Sequence, residues 1–282
     1  MAARKVAFVT GASRGIGRGC ALELARRGFD VVLTARTVTG AERLEHSSTV
    51  KKSLTTPLPG NLEKTASEAR ALGVDALVAK LDLSVRADWP AAVDAAVARF
   101  GRVDVLVNNA WGGGTVKRLE HKTDEEMLHG VRLGFLSHFW LMQGVFPHMK
   151  RQGGGAIVNL CSLNGVNAHM YTAEYNTAKE ASRALARTAA REWARHGIRV
   201  NVICPAAATE AYEAFASMAP ENAAALLKQN PMGRMGDPEG DIGGVALFLA
   251  GNDARYLTGN TLFVDGGSHL NGVQWDPGLP ED

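Results

Sequence analysis

The residues best placed for acid–base chemistry are Tyr175 and Lys179, four apart in Tyr175-Asn176-Thr177-Ala178-Lys179. On a helix that spacing stacks both side chains on one face. A free phenol ionises near pH ~10, too weakly for an efficient base at neutral pH. A neighbouring ammonium favours the phenolate, so the pair can give and take a proton. Ser162 stands thirteen residues before Tyr175, just past the apolar run Ala156–Leu160. Its hydroxyl can hydrogen-bond a substrate oxygen and orient it. The three form a candidate catalytic set for proton transfer to and from an oxygen.

Such a set needs a redox partner, and the N-terminal region offers a site for one. Thr10-Gly11-Ala12-Ser13-Arg14-Gly15-Ile16-Gly17 follows a strand-like run and opens a helical one. Glycine lets the backbone approach a pyrophosphate, because a Cβ would hold it away. The helix N-terminus then presents free N–H groups and its positive dipole end. Strand before and helix after mark a dinucleotide site, with Gly11, Ser13, Arg14, Gly15, Ile16 and Gly17 as its residues. The second strand ends Thr34-Ala35-Arg36, with no carboxylate before Glu42. A ribose 2′-hydroxyl is usually gripped there by an acid. Arg36 and Arg14 instead suit a 2′-phosphate by charge and by bidentate bonding, which predicts NADP(H) over NAD(H).

The Gly-x-x-x-Gly-x-Gly spacing resembles the short-chain dehydrogenase/reductase (SDR) family, and the likeness extends over nearly the whole chain. It implies that Ser162, Tyr175 and Lys179 are the catalytic residues and that Lys179 also bonds the nicotinamide ribose. By the same resemblance Asp82, in Leu81-Asp82-Leu83, contacts the adenine; by itself it could equally be a turn or cap residue. Asn108-Asn109-Ala110 matches the family's Asn-Asn-Ala-Gly, placing Asn109 and Ala110 beside the cofactor. Trp111 replaces the final glycine, and either lines the pocket or simply packs. Pro205-Ala206-Ala207-Ala208-Thr209 matches a segment whose threonine touches the carboxamide, with Ala206 in place of glycine. Gly134 falls where the family has an asparagine that anchors a water in the proton relay. Ser137 and His138, one turn on, are candidate substitutes. Gly134, His138 and the run from Ser13 to Gly19 resemble the subgroup containing dehydrogenase/reductase SDR family member 1, a likeness that implies steroid or xenobiotic carbonyl substrates.

Strand-length apolar runs at 6–10, 31–35, 76–81, 103–107, 156–160, 199–203 and 261–264 alternate with helical patterns. The helices are expected near 15–28, 62–72, 86–100, 124–150, 174–196, 209–228 and 239–250. Alternation of this kind means parallel strands with right-handed crossovers. Helices on both faces explain why the strands are apolar throughout. The expected fold class is α/β: a single doubly wound Rossmann domain over 1–282 with a seven-stranded parallel sheet. Thr123 with Glu126 predicts a capping box, and Asp237-Pro238 a helix start. The polar stretch 37–61 is too long for an ordinary connection and reads as an insertion. Residues 205–236 carry Tyr212, Phe215, Met218, Leu226 and Leu227 at helical spacing and read as a lid. With Trp111 they suggest an apolar substrate of moderate size. The tail after Ser268, with Trp275 and Pro277, is expected to cover a neighbouring subunit's pocket or hang free.

The 282 residues suffice for one large core. A net charge of +2, from 31 basic and 29 acidic residues, supplies no broad field for nucleic acid or anionic lipid. Cys20, Cys161 and Cys204 are widely spaced, as suits buried thiols in a reducing compartment. No apolar run reaches membrane-spanning length, so a soluble cytoplasmic protein is expected. The eight histidines lack the spacing of metal ligands, and no metal is expected. The leading reading is an NADP(H)-dependent oxidoreductase for a small alcohol or carbonyl substrate, assembled as a tetramer or dimer. The alternatives are a 3-oxoacyl thioester reductase and a low-turnover NADP(H) sensor or scaffold.

Overall fold

The computed structural model describes residues 4–40, 46–47, 53–54 and 58–270. The apolar runs become strands β1 (Val6–Thr10), β2 (Asp30–Ala35), β5 (Ala76–Lys80), β6 (Val105–Asn108), β7 (Gly155–Leu160), β8 (Ile198–Pro205) and β9 (Thr261–Val264). They form one seven-stranded parallel sheet in the order β5-β2-β1-β6-β7-β8-β9. The chain winds outward from β1 through β2 to β5, then returns to β6 on the other side. That reversal opens a crevice beyond the carboxyl ends of β1 and β6, where ligands bind in such sheets. Within 37–61 a short antiparallel pair, β3 (His46–Ser47) and β4 (Ser53–Leu54), is described; the rest of 41–57 lies outside the described residues. So does the tail from 271 onward, with Trp275 and Pro277.

Both sheet faces are covered, which accounts for the continuous apolar strands. Ala7, Val9, Val31 and Leu33 face one buried cluster, while Val6, Phe8, Val32 and Leu106 face the other. The first cluster packs under α1 (Gly15–Arg26), α2 (Leu62–Ala71) and α10 (Gly244–Ala250). The second packs under α3 (Asp88–Phe100), α5 (Ser137–Arg151) and α7 (Ala173–Trp193). Gly101 and Gly197 end their helices at φ 74° and 72°, backbone that suits glycine.

Three helical expectations are corrected. The segment expected as one helix over 124–150 starts at α4 (Asp124–Val131), behind the expected Thr123–Glu126 capping box. It then passes through a π-helical turn, Arg132–Leu136, before α5. The π turn centres on Gly134, and such insertions favour functional sites. The helix expected over 209–228 is two, α8 (Glu210–Met218) and α9 (Pro220–Lys228), because proline cannot continue α8. The segment from Pro238 begins as another π turn, capped by Asp237. Between β7 and α7 lies one further turn, α6 (Leu163–Val166).

Candidate active site

The crevice holds a cleft of about 590 Å³. At its nucleotide end, Gly11, Ser13, Arg14, Gly15 and Ile16 form the wall. Although the Glu210 carboxylate approaches Gly15 from α8, no side chain caps the start of α1 and no acid sits in its first turn, so its first N–H groups have no partner within the helix. That is the arrangement an anionic pyrophosphate needs. Gly17 is off the wall: a Cβ there would fall 2.3 Å from the Gly11 carbonyl oxygen, so this glycine lets the turn close on itself. Asn109 braces the turn, its Nδ2 donating to the Thr10 carbonyl at 2.8 Å.

Arg14 and Arg36 both line the cleft, and an Arg14 guanidinium nitrogen donates to Thr37 Oγ1 at 3.3 Å. Burial lowers the Arg14 pKa, with Glu210 opposing and Arg36 reinforcing that shift. Asp82 accepts from the Ser84 backbone N–H at 2.9 Å and from its hydroxyl at 2.7 Å. Burial alone would raise its carboxyl, but the Ser84 hydrogen bonds and the Arg36 charge hold it below the ordinary value. In the run Gly112-Gly113-Gly114, the last two take φ of 95° and 136°, backbone that suits glycine. A Cβ at 112 would lie 2.8 Å from the Arg36 guanidinium, and one at 113 would lie 2.7 Å from His129 Nε2.

At the reaction end α7 presents Tyr175 to the cleft and buries Lys179 one turn behind it. Ser162, at the start of α6, is buried and close enough to the Tyr175 phenol to favour its ionised form. Its Oγ accepts from the Asn164 N–H at 3.1 Å. Lys179 Nζ donates to the Leu160 carbonyl at 2.7 Å and lies 5.6 Å from the Tyr175 ring centroid. The sequence suggests that this ammonium draws the phenol down; here burial wins. It pushes Tyr175 up to about 12 against the opposing effect of Ser162, and it lowers Lys179. In the chain by itself the phenol is therefore a proton-carrying acid at neutral pH.

The surroundings fix this corner. Glu174 is buried beside Tyr175; its Oε1 accepts from the Thr115 N–H at 2.8 Å and its Oε2 lies 2.6 Å from Lys122 Nζ. The loop after β6 is thereby tied to the start of α7. From α8, Phe215 and Met218 reach the cleft, with Thr209 and Glu210 at its base; Tyr212 sits off the wall, 6.3 Å from the Phe215 ring. Ser137 and His138 do not stand in for a side chain at 134. Ser137 Oγ donates back to the Leu133 carbonyl, and His138 Nδ1 pairs with Ser182 Oγ, each at 2.5 Å. Burial and the Lys179 charge keep His138 neutral, well below its usual pKa. The buried thiols are raised too, Cys161 to about 11 and Cys204 to about 12, which suits packing rather than nucleophilic chemistry.

Of the expected site residues, Gly11, Ser13, Arg14, Gly15, Ile16, Arg36, Asp82, Leu83, Asn109, Ala110, Tyr175 and Thr209 share the cleft wall. Ser162 and Lys179 stand behind it, Ser162 bonded to the Asn164 N–H and Lys179 to the Leu160 carbonyl. Pro205 ends β8 away from the wall. Reading the sequence alone missed His129, Glu174 and Glu210. Only Glu210 left a trace, as the residue following Thr209.

The family profile described as short chain dehydrogenase matches residues 5–56, and that described as Enoyl-(Acyl carrier protein) reductase matches 53–269. A 12α-hydroxysteroid dehydrogenase from a Clostridium species is 34% identical over 269 residues, covering 93% of this chain and 96% of that protein. A 3-oxoacyl-(acyl-carrier-protein) reductase from Staphylococcus epidermidis is 32% identical, covering 94% and 99%. The crystal structure of acetoin dehydrogenase from Enterobacter cloacae superimposes with a TM-score of 0.79 at 32% identity, covering 98% and 100%. The chain belongs to the short-chain dehydrogenase/reductase family. It is an oxidoreductase of alcohols and ketones that uses a nicotinamide cofactor.

Proposed function

We propose that the chain interconverts apolar ketones of moderate size and their secondary alcohols with NADP(H), and that Tyr175 carries the proton. The observation that carries this reading is one cleft with two ends. Tyr175, beside Ser162, lies at one, and the uncapped start of α1 lies at the other. Arg14 and Arg36 on the same wall support a 2′-phosphate, and so the phosphorylated cofactor. Gly11, Ser13, Gly15 and Ile16 would hold the pyrophosphate, Asp82 and Leu83 the adenine, and Asn109, Ala110, Lys179 and Thr209 the nicotinamide riboside.

When bound, the reduced nicotinamide supplies a hydride to the carbonyl carbon. Ser162 orients the carbonyl oxygen, and Tyr175 donates its O–H proton to that oxygen as negative charge develops there. In the reverse direction the phenolate takes the alcohol proton. Lys179 stabilises that anion by its charge. We read the chain as one domain in which 205–236 acts as a lid, with Phe215 and Met218 excluding water above the reacting carbon. Assembly as a dimer or tetramer follows from the family resemblance.

The hydroxysteroid relative supports a bulky alicyclic substrate. The carrier-protein reductase relative supports a 3-oxoacyl thioester instead. Near the mouth, however, Lys117 and Lys122 are each paired with an acid, Glu126 and Glu174, which leaves them poorly suited to an acidic carrier. Rates of cofactor oxidation over a panel of steroid, alicyclic and linear ketones and a 3-oxoacyl thioester test the reading. NADPH is expected to outperform NADH by at least ~tenfold with an alicyclic ketone. Preference for NADH, or turnover of the thioester alone, would overturn it.

A further inference from the structure

Two departures from the family pattern, Trp111 and Gly134, meet in space. Trp111 follows the Asn-Asn-Ala run at the end of β6 and lines the cleft. Its ring packs edge-on against Tyr175, with centroids 4.8 Å apart and planes at 81°. Lys179 Nζ lies 5.6 Å from the indole centroid. Across from the indole is Gly134, a buried residue of the π turn. A Cβ at position 134 would fall 2.7 Å from Trp111 Cζ3 and 2.8 Å from the Ala178 Cβ. Real Cβ atoms do not approach so closely, so any residue but glycine would have to push the indole, or helix α7, away. The indole thus occupies the space that a side chain at 134 would take.

We propose that Trp111 and Gly134 act as one unit. The glycine recess seats the indole, and the seated indole positions the Tyr175 ring and sets the width of the carbonyl pocket beside it. Trp111 is thus a positioning and specificity-determining residue that admits flat cyclic ketones and excludes branched ones. This inference rests on the reading of Tyr175 as the proton donor. It assigns position 134 no side-chain role in holding a water, because glycine has no side chain and the indole fills the space that one would take.

The test is a mutant cycle in an Ala178→Gly background, which removes the other obstruction and leaves the indole as the one group a Cβ at 134 would strike. There Gly134→Ala is expected to lower kcat by ~100-fold, the effect of misplacing a reacting group by about 1 Å. The nucleotide Kd should stay within ~twofold. Trp111→Phe keeps an edge-on ring and should retain most of kcat, whereas Trp111→Ala should not. Adding Gly134→Ala to Trp111→Ala should cost nothing further, a strong non-additivity. Trp111→Ala should also raise the kcat/KM ratio of branched over flat ketones by ~tenfold.

Fluorine NMR of protein labelled with 5-fluorotryptophan reads the packing without turnover. The line lost in Trp111→Phe assigns Trp111, and Gly134→Ala must shift it. If the wild type turned over no ketone, the function proposed above would fail, while a shifted line would still support the pair. Additive losses, an unmoved Trp111 line, or unchanged ketone selectivity in Trp111→Ala would each overturn the proposal. Should Gly134→Ala fail to fold while the Trp111→Ala/Gly134→Ala double variant folds, the pairing is supported. If both fail to fold, it is overturned.

Discussion

The two ends of the cleft are held in different ways. The nucleotide end is made of backbone: Gly11 and Gly15 take φ of 67° and 51°, and Gly17 sits where a Cβ would strike the Gly11 carbonyl. The reaction end is made of side chains gathered from β6, the π turn, α6 and α7: Trp111 against Gly134, Tyr175 and Ser162 against each other, Glu174 on Lys122. A backbone end tolerates changes on its surface but none in its glycines. A side-chain end can be retuned residue by residue, and that is where substrates are discriminated.

The largest effect is expected at the reaction end. Tyr175→Phe should lower ketone turnover by ~10³-fold, the scale of a lost acid catalyst, while titration of NADPH fluorescence shows a nearly unchanged Kd. Loss of nucleotide binding in that variant would mean the two ends are not separable. At the other end, Arg36→Ala should reduce the preference for NADPH over NADH by ~10–100-fold, the worth of a charge-assisted contact to phosphate. Paired kcat/KM values for the two cofactors read this directly, and an unchanged ratio would remove Arg36 from the 2′-phosphate site.

The pH response sharpens the contrast. Tyr175 is pushed up to about 12, so the neutral acid predominates at neutral pH. Ketone reduction, which needs the protonated phenol, should be flat between about pH 6 and 9. Alcohol oxidation needs the phenolate and should rise, by up to ~tenfold per pH unit, until the phenol titrates. A flat oxidation profile would show that the phenol no longer sits near 12 once the oxidised, positively charged nicotinamide is bound. Smallest is the effect on stability. Gly17→Ala forces backbone apart and should cost ~1–3 kcal/mol, seen as a melting temperature lowered by roughly 2–4 °C per kcal/mol.

The same contrast explains what could be read in advance. A backbone demand leaves glycines at fixed spacing, so Gly11, Gly15 and Gly17 announced the turn, and apolar runs announced seven strands. Tyr175 and Lys179 share one helix, and their spacing is local. Trp111 and Gly134 belong to different elements, and nothing in either segment says that the residues touch. Each read as an isolated departure until the fold brought them together. Glu174 was likewise hidden, because a buried carboxylate at the start of a helix reads as an ordinary first-turn acid. The rise in the Tyr175 pKa was missed for a related reason: spacing shows the neighbouring ammonium but not the burial that outweighs it.

In the reaction proposed above, a hydride reaches the carbonyl carbon while Tyr175 protonates its oxygen. Turnover of a ketone with NADPH deuterated at the transferred C4 position, followed by mass analysis of the alcohol, tests it most directly. Deuterium on the carbinol carbon is expected from the wild type, and almost no product from Tyr175→Phe. Unlabelled alcohol, or labelled alcohol formed at an undiminished rate by Tyr175→Phe, would contradict it.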